Sequence, residues 1–259
     1  MAQKRPPVVF DARRRGTAAI VTLSHEYSSG STVPFHFHAD DQLVYAESGV
    51  MTVRTTHGAW VVPTRRAVWV PARIPHAIDM LGRVAMKTLY LAPRLARHLP
   101  RRCSVLQVSP LLRELVLHAC ERGKLARHRR RDVHLVAVLV DQLAVAPTTP
   151  LRLPAPLDPR ARRVADALAG DPAGVRTLER LAAIAGASKR TIERAFRRET
   201  GMTLGKWRQQ LRLLHATRLL AAGEKVTVAA LEAGYDSASA FIAMFRRAMG
   251  TTPRRYFEA

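Results

Sequence analysis

The sequence predicts an α+β protein in which a strand-rich N-terminal barrel or sandwich precedes an all-α C-terminal domain. Three observations carry that prediction. Short apolar runs, "AAIVTL", "QLVYAE", "VMTVRT", "AWVVP", "AVWVP" and "VAMKTLYL", follow one another between Thr17 and Leu91. Turns separate them at roughly 8 to 12 residues, the spacing of small β domains. From Ser109 onward the apolar period becomes helical. Finally, "SKRTIERAFRRETGMTLGKW" (188–207) reappears 49 residues later as "SASAFIAMFRRAMGTTPRRY" (237–256). Ser188 falls on Ser237, Phe196 on Phe245, Arg197-Arg198 on Arg246-Arg247, Gly201 on Gly250, Thr203 on Thr252 and Trp207 on Tyr256.

Each segment has its own signal. Residues 1–100 are expected to hold the strand domain, with alternation at Met51, Val53 and Thr55. Residues 101–155 form a helical connector: Leu112, Leu115, Val116 and Ala119 share one face, and a second helix covers about residues 133–143. The leucine-rich stripe, which also includes Leu135, Leu139 and Leu143, either packs on the strand domain or makes a homodimer. "APTTPLRLPAPLDP" reads as a proline-rich linker over residues 146–159, and residues 156–259 form the helical domain.

Composition narrows the function. A 47% hydrophobic content with 6% aromatic residues excludes global disorder. The formal charge of +22, mostly arginine, points to a polyanionic partner, and nucleic acid is the commonest. No apolar stretch reaches the length of a membrane span and the first residues carry no signal-peptide core, so a cytoplasmic location without membrane contact is expected. Cys103 and Cys120 are too few for a disulfide framework and read as buried thiols.

The repeated unit has the grammar of a helix-turn-helix. Thr177 caps a first helix with Leu178, Leu181 and Ile184 on one face, Gly186 stops it, and Ser188 caps a second helix. Small Ala182 lets the two cross closely. Ile192, Ala195 and Phe196 point inward, which leaves Arg190, Glu193, Arg194 and Arg197 outward at helical spacing, a face suited to a major groove. In the second copy Ala230, Gly234 and the Ser237 cap recur, Phe241, Met244 and Phe245 point inward, and Ser239, Ile242, Ala243 and Arg246 point outward. Only Arg246 of these can make a bidentate contact, so the first copy reads bases and the second mainly anchors. Between the copies Trp207, Leu211, Leu214, Ala216 and Leu219 mark an unbroken helix of some 17 residues, about 25 Å long. Such a spacer sets two reading heads on double-stranded DNA about one turn, roughly 34 Å, apart. The candidate DNA-binding set is Ser188, Lys189, Arg190, Thr191, Glu193, Arg194, Arg197, Ser237, Ser239, Ala243 and Arg246.

At these residues the chain resembles a known family. Residues from about 160 to 257 are similar to the DNA-binding domain of AraC/XylS bacterial transcription regulators, and "GYDSASAFIAMFRRAMGTTPRRYF" matches the family's signature region. The resemblance implies base contacts at Arg190, Glu193 and Arg194, RNA polymerase as a partner and a regulator rather than an enzyme. Ser239 and Ala243 are shorter than the polar side chains of some members.

In the strand domain, "FHFHADDQ" places His36 and His38 two apart, hence on one face of a strand, with Gln42 four further on, and "PARIPHAIDM" adds His76. Three imidazoles and an amide oxygen can ligate a divalent transition metal such as zinc, nickel or iron. Alternatively the histidines line a pocket for a small-molecule effector or are hydrogen-bonded core residues. The two stretches resemble the motifs of the cupin barrel, the usual sensor domain in one branch of these regulators, which implies a cupin-like β-barrel here. This chain departs from the pattern at Gln42, where a ligating Glu is common, at Arg65 and Arg73, where turn glycines stand, and at Met80 in place of Asn.

Overall fold

The computed structural model describes residues 16–92 and 94–258; residues 1–15, expected to carry no leader, lie outside the described residues. In chain order the strands of the first half are β1 (Ala18–Tyr27), β2 (Thr32–His36), β3 (Asp41–Thr55), β4 (Gly58–Val62), β5 (Arg66–Val70), β6 (His76–Leu91) and β7 (Ser104–Gln107). Helix α1 (Pro110–Arg122), β8 (Lys124–Ala126), α2 (Arg130–Val145), β9 (Thr148–Thr149) and β10 (Arg152–Pro154) follow. The helical part comprises α3 (Pro159–Ala169), α4 (Leu178–Ala185), α5 (Lys189–Thr200), α6 (Leu204–Ala221), α7 (Val226–Glu232), α8 (Ala238–Met249) and α9 (Pro253–Glu258). Two compact units result: the residues up to Thr55 with Val62–Thr149, and Thr56–Val61 with Pro150 onward.

The first unit is an antiparallel sheet in the order β8-β1-β6-β3-β5-β7-β9, with β2 also on β6. Long β3 and β6 pair from Asp41↔Leu91 to Thr55↔His76, with register shifts around Ser48. Side-chain alternation sends Leu43, Tyr45, Ala67, Trp69, Leu89 and Leu91 to one face. There they share a core with Leu112, Val116 and Ala119 of α1 and Val136, Leu139 and Leu143 of α2. On the opposite face Gln42, Val44, Val68, Thr88 and Tyr90 are buried as well. Burial of both faces is why β5 reads as an uninterrupted apolar run.

The stretch expected as a separate connector therefore supplies three strands and two helices to this unit. Its leucine stripe, a candidate dimer surface by sequence, is spent on the sheet: Leu115 and Leu135 pack against the same core. The proline-rich run forms β9, which pairs with β7, and β10, which pairs with β4. Arg65 (φ 63°) and Arg73 (φ 64°) hold the left-handed backbone that glycine takes more cheaply, at the positions where the resemblance places glycine. Cys103 and Cys120, expected to be buried, are half-buried and not in a disulfide.

The second unit has two small cores that meet on one helix. Leu181, Ala182 and Ala185 of α4, Ile192, Ala195 and Phe196 of α5, four residues of α3, and Leu204, Trp207 and Leu211 of α6 form the first. Leu213 and Ala216 of α6, Ala230 of α7, Phe241, Met244 and Phe245 of α8, and Tyr256 form the second. Helix α6 is thus apolar on two faces, and its 18 residues span about 27 Å.

The duplication is kept in geometry. Phe196 meets Trp207 edge to face at 5.4 Å, and Phe245 meets Tyr256 likewise at 5.4 Å. Ser188 and Ser237 cap α5 and α8, and Gly201 and Gly250 end them in left-handed conformation. One detail differs from expectation. Ile184 is exposed, because Ala185, one residue on, takes the inward place. Helix α7 has no side-chain cap.

Candidate functional site

Two groups of side chains stand out, one in each unit. In the first, strand pairing sets His36 of β2 directly opposite His76 of β6, with ring centroids 4.4 Å apart. His38 lies beyond the end of β2 rather than within it, and joins the pair at 5.9 Å from His36 and 5.2 Å from His76. Tyr90 stands edge-on to His38 at 5.1 Å. One ligand atom from each histidine lies within 4.8 Å of the other two.

Hydrogen bonds orient the rings. Nδ1 of His36 faces the carbonyl of Pro34 at 2.9 Å, Nδ1 of His38 that of Asp40 at 2.6 Å, and Nδ1 of His76 that of Ile74 at 2.8 Å. A carbonyl only accepts, so in each of these three bonds Nδ1 is the donor. Backbone anchoring of the far nitrogen is what metal-binding histidines require. Burial pushes the His76 imidazole down to about 4 and lowers that of His38, so both are neutral near pH 7. Nε2 of His76 is buried with no hydrogen-bond partner among the described residues.

Gln42 completes the group from β3. Its Nε2 donates to Thr88 Oγ1 (3.0 Å), whose hydroxyl donates to the Leu43 carbonyl (2.9 Å). That relay turns Oε1 of Gln42 toward Nε2 of His38, 3.1 Å away. Both ring nitrogens of His38 thus face oxygens that only accept, and a neutral imidazole can donate to one of them, so a cation at the other nitrogen would relieve the unmatched contact. The donor set is three imidazoles and one amide oxygen, which suits zinc, nickel or iron but supplies no negative charge to hold the ion. These residues fit a metal.

The second group lies on α5 and α8. Arg190, Glu193, Arg194 and Arg197 are exposed along one side of α5, while Ile192, Ala195 and Phe196 are buried on the other. Ser188 is occupied as the cap, with its hydroxyl 2.9 Å from that of Thr191. Lys189 pairs with Glu179 of α4. On α8, Ser239, Ile242, Ala243 and Arg246 are exposed and Ser237 is again the cap.

Sequence reasoning missed two contributors. Glu199 accepts from the backbone N–H of Leu157 (2.7 Å) and Asp158 (2.9 Å), tying α5 to the entry of α3. Arg212 on α6 donates to the carbonyl of Pro172 at 3.0 Å and so holds the α3–α4 loop. Neither has a local sequence signal, since both partners lie some 40 residues away.

Comparison with known proteins fits this geometry. Residues 181–259 match a helix-turn-helix domain model, and residues 19–146 match an AraC-like ligand binding domain. The HTH-type transcriptional regulator NimR of Escherichia coli (strain K12) is 33% identical over 247 residues, 95% of this chain and 90% of the relative. The HTH-type transcriptional regulator RipA of Corynebacterium glutamicum is 39% identical over 110 residues, 42% of this chain and 32% of the relative. Among solved structures, ToxT from Vibrio cholerae O395 aligns over 93% of this chain and 97% of its own, at 11% identity and a TM-score of 0.40.

Proposed function

This chain belongs to the AraC family of transcription regulators, and from that premise we propose that a site in its first unit governs how its second unit engages duplex DNA. The site is built from His36, His38, Gln42 and His76, and its ligand is a divalent transition metal, zinc, nickel or iron. The observation that supports this most is the anchoring of all three Nδ1 atoms on backbone carbonyls, with one ligand atom from each ring within 4.8 Å of the other two. A metal held by His36, His38, Gln42 and His76 would supply a fixed positive charge that could attract an anionic or electron-rich effector. The chain's own residues orient the donors and exclude water. Arg190, Glu193, Arg194 and Arg197 read base edges, and Ser239, Ala243 and Arg246 anchor the second head. Lys189 and the Ser188 and Thr191 hydroxyls support the backbone approach. The regulator works in the cytoplasm as a homodimer that recruits RNA polymerase. Because the leucine stripe packs on the sheet, exposed Leu111 of α1 and Val133, Val138 and Val145 of α2 are among the apolar positions left for self-association.

Elemental analysis of the purified full chain, paired with selection of bound sites from random duplexes, tests the reading. The expectation is a near-stoichiometric metal, lost in the His36→Ala, His38→Ala double variant, and a discrete site of about 20 base pairs. A second reading keeps the same histidines as the lining of an effector pocket without metal. It rests on the missing carboxylate at Gln42, and a metal-free parent with an intact DNA site selects it.

A further inference from the structure

Beneath the reading face of α5 lies a cleft of about 550 Å³, lined by Arg176, Arg190, Arg194, Arg197 and Arg208 with Glu193 as the sole carboxylate. The first turn of α6, residues 203–205, closes one side. Arg208 is unlike the others. Its Nη1 donates to the Arg176 carbonyl at 3.1 Å, while Nε and Nη2 are buried without a hydrogen-bond partner among the described residues. A guanidinium keeps its charge in a protein, so a buried, half-paired one is costly until an anion meets it. Of the charges that act on it, Arg212, one turn further along α6, is like-signed, and the Asp171 carboxylate is a weaker counter-charge.

The backbone of α6 points the same way. Thr203 caps the helix through the N–H of Lys206, which leaves the amides of Leu204 and Gly205 without an intrahelical acceptor at the positive end of the helix dipole. A Cβ at Gly205 would meet nothing within 4 Å, so approach to those amides is open. Unpaired guanidinium N–H groups, helix amides and a low-carboxylate wall are together a receptor for a tetrahedral oxyanion.

We infer that Arg208 and the first turn of α6 form a phosphate-binding site that takes a backbone phosphate of the DNA whose groove α5 reads. Three arginines of the reading face form the cleft's outer wall, so a duplex against α5 brings its sugar–phosphate strand to this place. The contact fixes register and carries no base information. This inference rests on the DNA-reading assignment of α5.

Full-length parent, Arg208→Gln and Arg208→Lys are compared by equilibrium DNA binding between about 50 and 200 mM salt, on the selected site and on a scrambled duplex. Arg208→Gln is expected to weaken both duplexes by the same factor, leaving their ratio unchanged, and to make the slope of log K against log salt shallower by about one. Arg208→Lys keeps the charge and is expected to keep the parental slope. A Gln variant with a parental melting curve and a parental slope overturns the inference, as does a change confined to the selected site. Titration with inorganic phosphate at constant ionic strength separates the sources. Phosphate binding lost in Arg208→Gln while its DNA slope stays parental marks a free-phosphate site and rejects the backbone assignment. A parent without any preferred duplex would instead refute the reading of α5, whatever the slopes.

Discussion

At the scale of single residues, the contrast between α5 and α8 makes a quantitative claim. Arg194 stands free on the outward side of α5, where a bidentate base contact is geometrically available, so Arg194→Ala is expected to cost about 1 to 3 kcal/mol on the selected site and relax one base position. Unchanged selectivity in the same binding assay removes Arg194 from the reading face. Phe245 is fully buried between Phe241 and Tyr256 in a core of few residues. Phe245→Ala leaves a cavity that such a core cannot refill, and a loss of about 3 to 5 kcal/mol is expected in thermal or denaturant melts. Arg73 lies at φ 64°, where a side chain costs about 1 kcal/mol or more, so Arg73→Gly is expected to raise the melting temperature despite the added freedom of the unfolded chain. A lowered midpoint would mean that the side chain does more than tolerate its turn.

At the scale of elements, legibility in the sequence followed locality. Caps, stops and the inward faces of α5 and α8 depend on residues within one or two turns, and all of them stand at the positions their spacing indicated. Ile184 did not, because Leu178, Leu181 and Ile184 fit a helical stripe nearly as well as the buried set Leu181, Ala182 and Ala185. Small alanines carry little pattern, yet close helix crossing selects them. His36 and His76 were legible as a pair, but the Thr88 relay behind Gln42 was not, since it joins residues 46 apart through a sheet register that no single strand specifies. Asp132 shows the same limit. Its carboxylate, 1% exposed, accepts from the Ala126 N–H at 2.8 Å and from Arg122 at 2.5 Å, joining α1, β8 and α2. Those bonds hold it below the usual carboxylate range. A lowered folded value means stability present above the unfolded value, near 3.9, and lost as pH falls through the lower folded one. Asp132→Asn is therefore expected to cost about 1 to 3 kcal/mol near pH 7, and the gap from parent should close in melts run toward pH 3. A gap that stays constant with pH would show that packing, not charge, is what the substitution disturbs.

At the scale of the whole molecule, the central claim is that one rigid helix, shared by two cores, holds two reading heads for a single duplex. Trp207 and Leu211 belong to the first core and Leu213 and Ala216 to the second, so α6 cannot bend without opening one of them. Equal 5.4 Å aromatic contacts in each half indicate that both heads are built on one plan and differ in what they present outward. Base specificity should accordingly concentrate in the half of the site facing α5. Hydroxyl-radical footprinting of the full chain on its selected site tests this most directly. The account predicts two protected patches on the same face of the duplex, about 10 base pairs apart. A single patch, or protection on opposite faces, would contradict it.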